Sequence, residues 1–281
     1  MVKIIETPRD GFQGLKQIIP TPDKIKYINA LLKVGFDTID IGSIVSPVSV
    51  PQMADTAELI NEVDMSDSNS KLMVLVANMK GARQAANFEM IDELAFPFSI
   101  SPTFLKKNIN ANFEKSEKLI QEILNLSLRK NKELMIYIAM GFGNPYGDDW
   151  SLDLVHEWVE KFVMMGINTI PISDITGESS PSQIAEVYGS LIRSYPEVEF
   201  GFHLHAKTDD YFEKIKAAYD AGCRRFDSVL GGIGGCPMTG YELVANLNTK
   251  DLIKFLDDEN ESLNIDREQL LKSEKLLKSL L

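Results

Sequence analysis

Apolar and polar positions alternate along the chain in one recurring rhythm. Short runs rich in β-branched and aromatic residues, at 2–6, 36–42, 71–77, 93–100, 133–140, 167–173, 197–205 and 225–230, predict strands. They are apolar throughout, as parallel strands covered on both faces are. Stretches with a helical period separate them. Over 22–34, Thr21 offers a cap, Pro22 a first-turn position, Ile25, Ile28, Leu31 and Leu32 one apolar face, and Gly35 a stop. Phe113, Leu119, Ile120, Ile123 and Leu124 draw the same stripe over 113–128. Helices are also predicted at 50–63, 151–164, 182–194, 211–221 and 249–257, and 264–281 reads as one more amphipathic helix, packed on the body or on a subunit mate.

Eight strands, most followed by a helix, predict an α/β fold of the (β/α)8 TIM-barrel type. The whole chain, 1–281, then forms one catalytic barrel domain, with 258–281 as a C-terminal helical extension. A doubly wound open sheet is the alternative if a strand or two is miscounted. In a barrel, chemistry gathers where the strands end. Each polar residue is therefore weighed by whether it falls at a strand's C-terminal end.

Composition narrows the partners. The 281 residues carry 29 Lys plus Arg against 41 Asp plus Glu, a formal charge of −12, with 44% hydrophobic content. That balance offers no basic field for nucleic acid or an anionic membrane. Two cysteines, Cys223 and Cys236, do not make a disulfide framework and suit a reducing compartment. The first residues do not read as a signal peptide, no apolar run approaches the roughly 18–20 residues that span a bilayer, and the last three are Ser-Leu-Leu rather than Ser-Lys-Leu. The expectation is a soluble, cytoplasmic protein.

His203 and His205 end the seventh predicted strand. Residues two apart on a strand point the same way, with Cα atoms about 6.5–7 Å apart, so two imidazoles can converge on one ion. A pair of hydrogen-bonded histidines in a polar barrel mouth is the plainer alternative. Asp10, after the first strand, adds a carboxylate at the same mouth. Two imidazoles, one carboxylate and no paired thiols favour Mg²⁺ or Mn²⁺, with Zn²⁺ less suited. Arg9 is either a rim salt bridge or a fixed cation facing developing negative charge. Asp40 and Asp174 both satisfy the strand-end test. Cys236 follows four glycines in Gly-Gly-Ile-Gly-Gly-Cys, a loop on which a thiol can act as acid or base. Cys223 reads as core filler, His156 as a structural or surface residue, and Asn246 by itself as a helix cap. Metal-assisted carbon–carbon cleavage or formation fits these residues, and metal-assisted hydrolysis fits nearly as well.

Ordered motifs go further. Pro8-Arg9-Asp10-Gly11-Phe12-Gln13, Lys16, Val45-Ser46-Pro47 with Pro51-Gln52-Met53, Asn78 with Gly81, Lys107-Asn108-Ile109-Asn110, Ser173-Asp174, His203-Leu204-His205 and Gly234-Gly235-Cys236-Pro237 span nearly the whole chain. In this set the chain resembles the 3-hydroxy-3-methylglutaryl-CoA lyase family of metal-dependent barrels. The resemblance implies cleavage of that acyl-CoA into acetyl-CoA and acetoacetate. It also implies Asp10, His203, His205 and Asn246 as metal ligands, Arg9 as the cation on the thioester or enolate oxygen, and Cys236 as the proton donor to the departing enolate. Asp40 stands where the family carries Glu, and Asp174 matches a strand-end Asp implicated in catalysis; these two and a histidine-linked water all stand as the base. Gln13 and Lys16 match substrate-facing polar positions, and Lys16, Lys80, Arg83, Lys106 and Lys107 are the cations open to CoA phosphates. A homo-oligomer, a dimer above all, is expected. The chain departs from the family at Ala206, where Asp follows the second histidine, at Asn144, where a cysteine precedes Pro-Tyr, at Asp40, and in a stretch from Cys236 to Asn246 that is one residue longer. A sister enzyme acting on another acyl-CoA, a condensing synthase and a non-catalytic metal- or CoA-binding paralogue are the competing readings.

Overall fold

A computed structural model describes residues 1–205, 210–235 and 244–281. Eight parallel strands close into a barrel in sequence order: β1 (Lys3–Glu6), β2 (Thr38–Ile44), β3 (Lys71–Val76), β4 (Glu93–Ser99), β5 (Glu133–Ala139), β6 (Thr169–Asp174), β7 (Glu199–Leu204) and β8 (Arg225–Ser228). The barrel expected from the alternation is thus present, and the open sheet is excluded because β8 pairs with β1, Lys3 opposite Arg225. A bulge between Asp40 and Gly42 interrupts the β2–β3 register, a place where barrels re-aim side chains at their rims.

Helices surround the barrel: α1 (Pro8–Gln13), α2 (Thr21–Leu31), α3 (Thr56–Glu62), α4 (Met79–Ala85), α5 (Pro102–Ile109), α6 (Phe113–Arg129), α7 (Leu152–Met165), α8 (Pro181–Ser194), α9 (Tyr211–Asp220), α10 (Thr249–Asp258) and α11 (Arg267–Leu280). Their starts follow capping chemistry. Asn112, Ser151 and Ser180 each accept a hydrogen bond from a backbone N–H in the first turn of α6, α7 and α8. The pattern predicted neither α1, α4 nor α5. Each is eight residues or shorter, too short to display a period, and α1 carries the turn-like run Pro-Arg-Asp-Gly. The last helix begins at Arg267 rather than 264. It buries Leu270, Ser273 and Leu277 and lies against α2, with Asp266 capping it and donating its N–H to the Val34 carbonyl.

Strand parity divides the interior. Ile5, Met73, Ala95, Met135 and Tyr137 fill the inside of the barrel as a cluster of their own. Their alternates, among them Ile4, Ile39, Leu94, Ile136, Ile172, Phe202 and Phe226, pack outward under the helices. Burying a Leu- or Phe-sized side chain contributes roughly 1.5–3 kcal/mol, so this outer layer holds the scaffold. Polar residues with inward parity are left at the two open ends. Among the described residues no helix is long and apolar enough to cross a membrane.

Candidate active site

The C-terminal end of the barrel gathers the charged residues singled out in the sequence. α1 starts one residue after β1 and presents Arg9 and Asp10, both buried, over the mouth. Arg9 donates from Nε to Asp40 Oδ2 at 2.8 Å, from Nη1 to Asp10 Oδ1 at 2.9 Å, and from Nη1 to Gln13 Oε1 at 3.2 Å. Its Nη2 lies 2.6 Å from the same Asp40 oxygen. The Gln13 amide in turn donates to Asp10 Oδ1. Gln13 is therefore engaged within the guanidinium–carboxylate cluster rather than turned outward.

His203 on β7 and His205, one residue past its end, share one parity, and their Nε2 atoms lie 3.0 Å apart. What each ring does with its other nitrogen decides the chemistry. His205 Nδ1 lies 3.1 Å from the Val244 carbonyl, which only accepts, so this nitrogen carries the proton. His203 Nδ1 lies 3.0 Å from Asp227 Oδ2 and donates to it. Both neutral rings then present Nε2 lone pairs to the same point. Asp10 Oδ2 sits 3.8 Å from each Nε2, buried and without a hydrogen-bond partner among the described residues. Three acceptors facing one another without a donor repel unless a cation lies between them. The set fits a divalent ion on that observation: its ligand atoms lie within 4.8 Å of one another, all three residues are buried, and N₂O donors suit a borderline-to-hard metal. Asn246 joins the cluster, bridged to His205 by backbone and donating from Nδ2 to the Ile233 carbonyl at 3.0 Å.

Ionisation follows from position. Burial pushes the Asp10 carboxyl up, but Arg9 and the histidines more than offset this and hold it below the ordinary value. Asp40, fully buried, is raised by desolvation against the pull of Arg9, to about 6. Burial and the neighbouring His203 lower His205 to about 4. Burial also opposes protonation of His203, yet its bond to Asp227 and the charge on Asp10 raise it overall.

Other expectations divide by parity and burial. Asp174 ends β6 as expected but alternates outward with Ile170 and Ile172, under the helices. Its oxygens accept from the Gly177 N–H at 2.9 Å, the Ser179 N–H at 3.1 Å and the Ser179 hydroxyl, and Lys214 Nζ stands 4.0 Å away. It anchors the β6–α8 loop instead of presenting an open carboxylate. Asn144 is absorbed by its own loop, accepting from the Tyr146 and Asp148 N–H groups and donating to the Asp148 carbonyl. Cys236 and Ala206 lie outside the described residues. The root of the glycine-rich loop is described: Gly234 has φ +88°, and a Cβ there would meet the Asp10 carbonyl oxygen at 2.7 Å, so only glycine lets this loop seat on α1. Lys16 is exposed just beyond α1, Lys80 and Arg83 are exposed on α4, and Lys106 and Lys107 end α5, with Lys107 Nζ 4.2 Å from the Tyr146 ring centre. Cys223 is core filler as expected, its thiol pushed up to about 12 by burial. His156 ties α7 to α8 through Ser190 Oγ at 2.7 Å.

Two side chains escaped the sequence reading. Asp227 on β8 and Tyr137 on β5 line the inside of the barrel directly beneath His203. The available signal was an acid inside an apolar strand on the same parity as Arg225, one strand over from the histidines.

The model of the HMGL-like family matches residues 1–277. The chain is 31% identical over 271 residues to the mitochondrial hydroxymethylglutaryl-CoA lyase of Gallus gallus, covering 96% of this chain and 90% of that protein. Among solved structures it resembles an HMG-CoA lyase from A. baumannii in complex with coenzyme A and 3-methylmalate, at TM-score 0.92 and 30% identity, covering 100% of this chain and 91% of that one. It likewise resembles the Bacillus subtilis HMG-CoA lyase, at TM-score 0.93 and 29% identity over 99% of this chain and 93% of that one.

Proposed function

The chain belongs to the HMGL-like family, and on that premise we propose that it is a divalent-metal-dependent carbon–carbon lyase cleaving 3-hydroxy-3-methylglutaryl-CoA to acetyl-CoA and acetoacetate. The observation that carries this reading is the convergence of three unpaired acceptors, His203 Nε2, His205 Nε2 and Asp10 Oδ2, beside a buried arginine. Asp10, His203, His205 and Asn246 would hold the ion, Mg²⁺ or Mn²⁺ from the donor set. When bound, the ion supplies a charge that orients the substrate and acidifies its tertiary hydroxyl.

The chain's own groups supply the remaining steps. Asp40 is the base. Its Oδ2 binds Arg9, while its buried Oδ1 has no partner among the described residues, and a carboxyl near 6 is poised to take a proton at neutral pH. Asp174, with its oxygens committed to the loop, does not compete for this role. Loss of the hydroxyl proton breaks the carbon–carbon bond in the retro-Claisen sense and leaves an acetyl-CoA enolate. Arg9 faces that oxygen: hydrogen bonds to Asp40, Asp10 and Gln13 take three of its five N–H groups, and Nη2, paired with Asp40 by charge, keeps N–H groups for an incoming oxygen. Cys236 delivers the proton to the enolate carbon. Gln13 positions Arg9 and Asp10, and Lys16 with Lys106 and Lys107 forms the cationic rim that meets CoA phosphates against an otherwise acidic protein. The chain works as one barrel domain from 1 to 281, as a cytoplasmic homodimer.

The test is product analysis. Incubation with 3-hydroxy-3-methylglutaryl-CoA and Mg²⁺ or Mn²⁺ is expected to yield acetoacetate and acetyl-CoA one to one, and chelation is expected to stop it. A folded, metal-loaded protein that leaves the acyl-CoA intact would refute the assignment.

A further inference from the structure

The two imidazoles are anchored differently, and the difference is built into the barrel wall. His205 leans on a backbone carbonyl, whereas His203 leans on a carboxylate that is itself held in place. Tyr137 Oη donates to Asp227 Oδ2 at 2.7 Å, and the same oxygen receives His203 Nδ1–H at 3.0 Å. All three side chains are buried, with Asp227 only 2% exposed, and the Tyr137 and His203 rings meet edge to face at 5.8 Å between centres. The three residues come from β5, β8 and β7, so a single strand pairing cannot place them together. The closed barrel does. Asp227 Oδ1 has no partner among the described residues, which leaves the carboxylate's orientation to the two bonds on Oδ2.

We propose that Tyr137 and Asp227 are a positioning pair that fixes His203 as its Nδ1–H tautomer and aims its Nε2 lone pair at the point shared with His205 and Asp10. The argument is one of acceptors and donors. An ionised carboxylate only accepts, so the imidazole nitrogen against it must carry the proton. The other nitrogen is then free as a lone pair and made more basic by the negative charge behind it. A tyrosine hydroxyl on the same oxygen stops the carboxylate from rotating away. Without the pair, His203 could protonate Nε2 and turn that proton into the position a metal would take. His205 needs no such pair because a backbone carbonyl cannot rotate out of register.

The inference rests on Asp10, His203 and His205 holding an ion, but its readouts need no substrate, so failure of the lyase assignment and failure of this inference are separable. In the metal-free protein at pH 8, ¹⁵N spectra of the His203 ring are expected to show a protonated Nδ1 and an unprotonated Nε2. Asp227→Ala is expected to move His203 toward the Nε2–H form and to weaken Mn²⁺ binding about 10–100-fold, the scale for losing a carboxylate behind a metal-binding histidine. Asp227→Asn, which keeps shape but not charge, should rescue part of that loss, a result that a role in packing alone does not give. Tyr137→Phe should weaken Mn²⁺ binding in the same direction by a smaller factor, and it carries the test if Asp227→Ala does not fold. Wild-type Mn²⁺ affinity in folded Asp227→Ala, or in Tyr137→Phe, would overturn the pair. So would a wild-type spectrum showing Nε2–H on His203.

Discussion

At the N-terminal end of the barrel, Lys71 Nζ lies 3.3 Å from Glu93 and 3.0 Å from Glu133, Arg225 reaches Glu93 at 3.5 Å and Glu199 at 3.1 Å, and Lys3 closes on Glu199. Every carboxylate in that network faces at least one cation. At the C-terminal end, Arg9 binds Asp10 and Asp40, yet Asp10 Oδ2, Asp40 Oδ1 and Asp227 Oδ1 are left without partners among the described residues, next to two imidazole lone pairs. One end is close to electrostatic balance and the other carries an excess of acceptors. A cleft of about 410 Å³ opens at the balanced end, lined by Lys3, Thr38, Lys71, Glu93 and Arg225 among others. That cleft is lined by ions that already have partners, whereas the other end is marked by unmet demand for positive charge. The same division holds in barrels generally, with catalysis at the C-terminal face and stability at the other.

The comparison breaks if an acceptor at the reactive end can be removed without loss. His205→Ala is expected to lower kcat about 10³-fold or more, the several kcal/mol of charge stabilisation that a bound ion provides. The metal-free protein should keep or raise its Tm, since one of three repelling acceptors is gone. Steady-state kinetics beside a thermal melt checks both halves. At the balanced end the signs reverse. Arg225→Leu should cost about 3 kcal/mol of stability, the low end for breaking a buried pair because Glu93 keeps Lys71. Denaturant unfolding reads that loss, and kcat per folded molecule should be unchanged.

Arg9→Lys sharpens the comparison on the reactive side. Lysine keeps the charge but cannot bridge Asp40, Asp10 and an incoming oxygen from one planar group. A loss of about 10²-fold in kcat is expected, the scale of one oxyanion donor. A further prediction concerns an acid that belongs to neither end. Glu6 alternates outward from β1 and accepts from the Leu230 N–H at 2.8 Å and bonds the Thr249 hydroxyl at 2.6 Å, holding the base of the glycine-rich loop. Burial, with no cation against it, raises its carboxyl from 4.5 to about 8. A raised folded-state value means the stabilisation is complete below about 4.5 and is lost as pH rises through about 8. Stability should therefore slope downward between those values by at most about 1.4 kcal/mol per pH unit. Glu6→Gln should flatten that slope in melts recorded across the interval.

Much of this arrangement is legible in the chain. The eight strands come from β-branched runs, because strands covered on both faces leave no polar alternation to confuse the pattern. His203, His205 and Asp10 come from spacing and strand ends. Asp174 shows where that test is incomplete, since being at a strand end does not fix which side of the strand a residue takes. One step of parity turned it from the mouth to the helices, and the same step brought Asp227 in. Tyr137 and Asp227 meet only because the barrel closes β5, β7 and β8 around one interior, a distance of 90 residues that no local pattern carries. The helix holding Arg9 and Asp10 was hidden for another reason: six residues containing both Pro and Gly read as a turn.

The most direct test of the central claim is a titration of the metal-free wild-type protein with Mn²⁺, followed by calorimetry or by the loss of free-ion paramagnetic resonance. One tight site is expected, weakened severely in His203→Ala and in His205→Ala while both variants keep the wild-type far-ultraviolet circular dichroism. A folded wild-type protein that binds no Mn²⁺, or variants that bind it as tightly, would contradict the account.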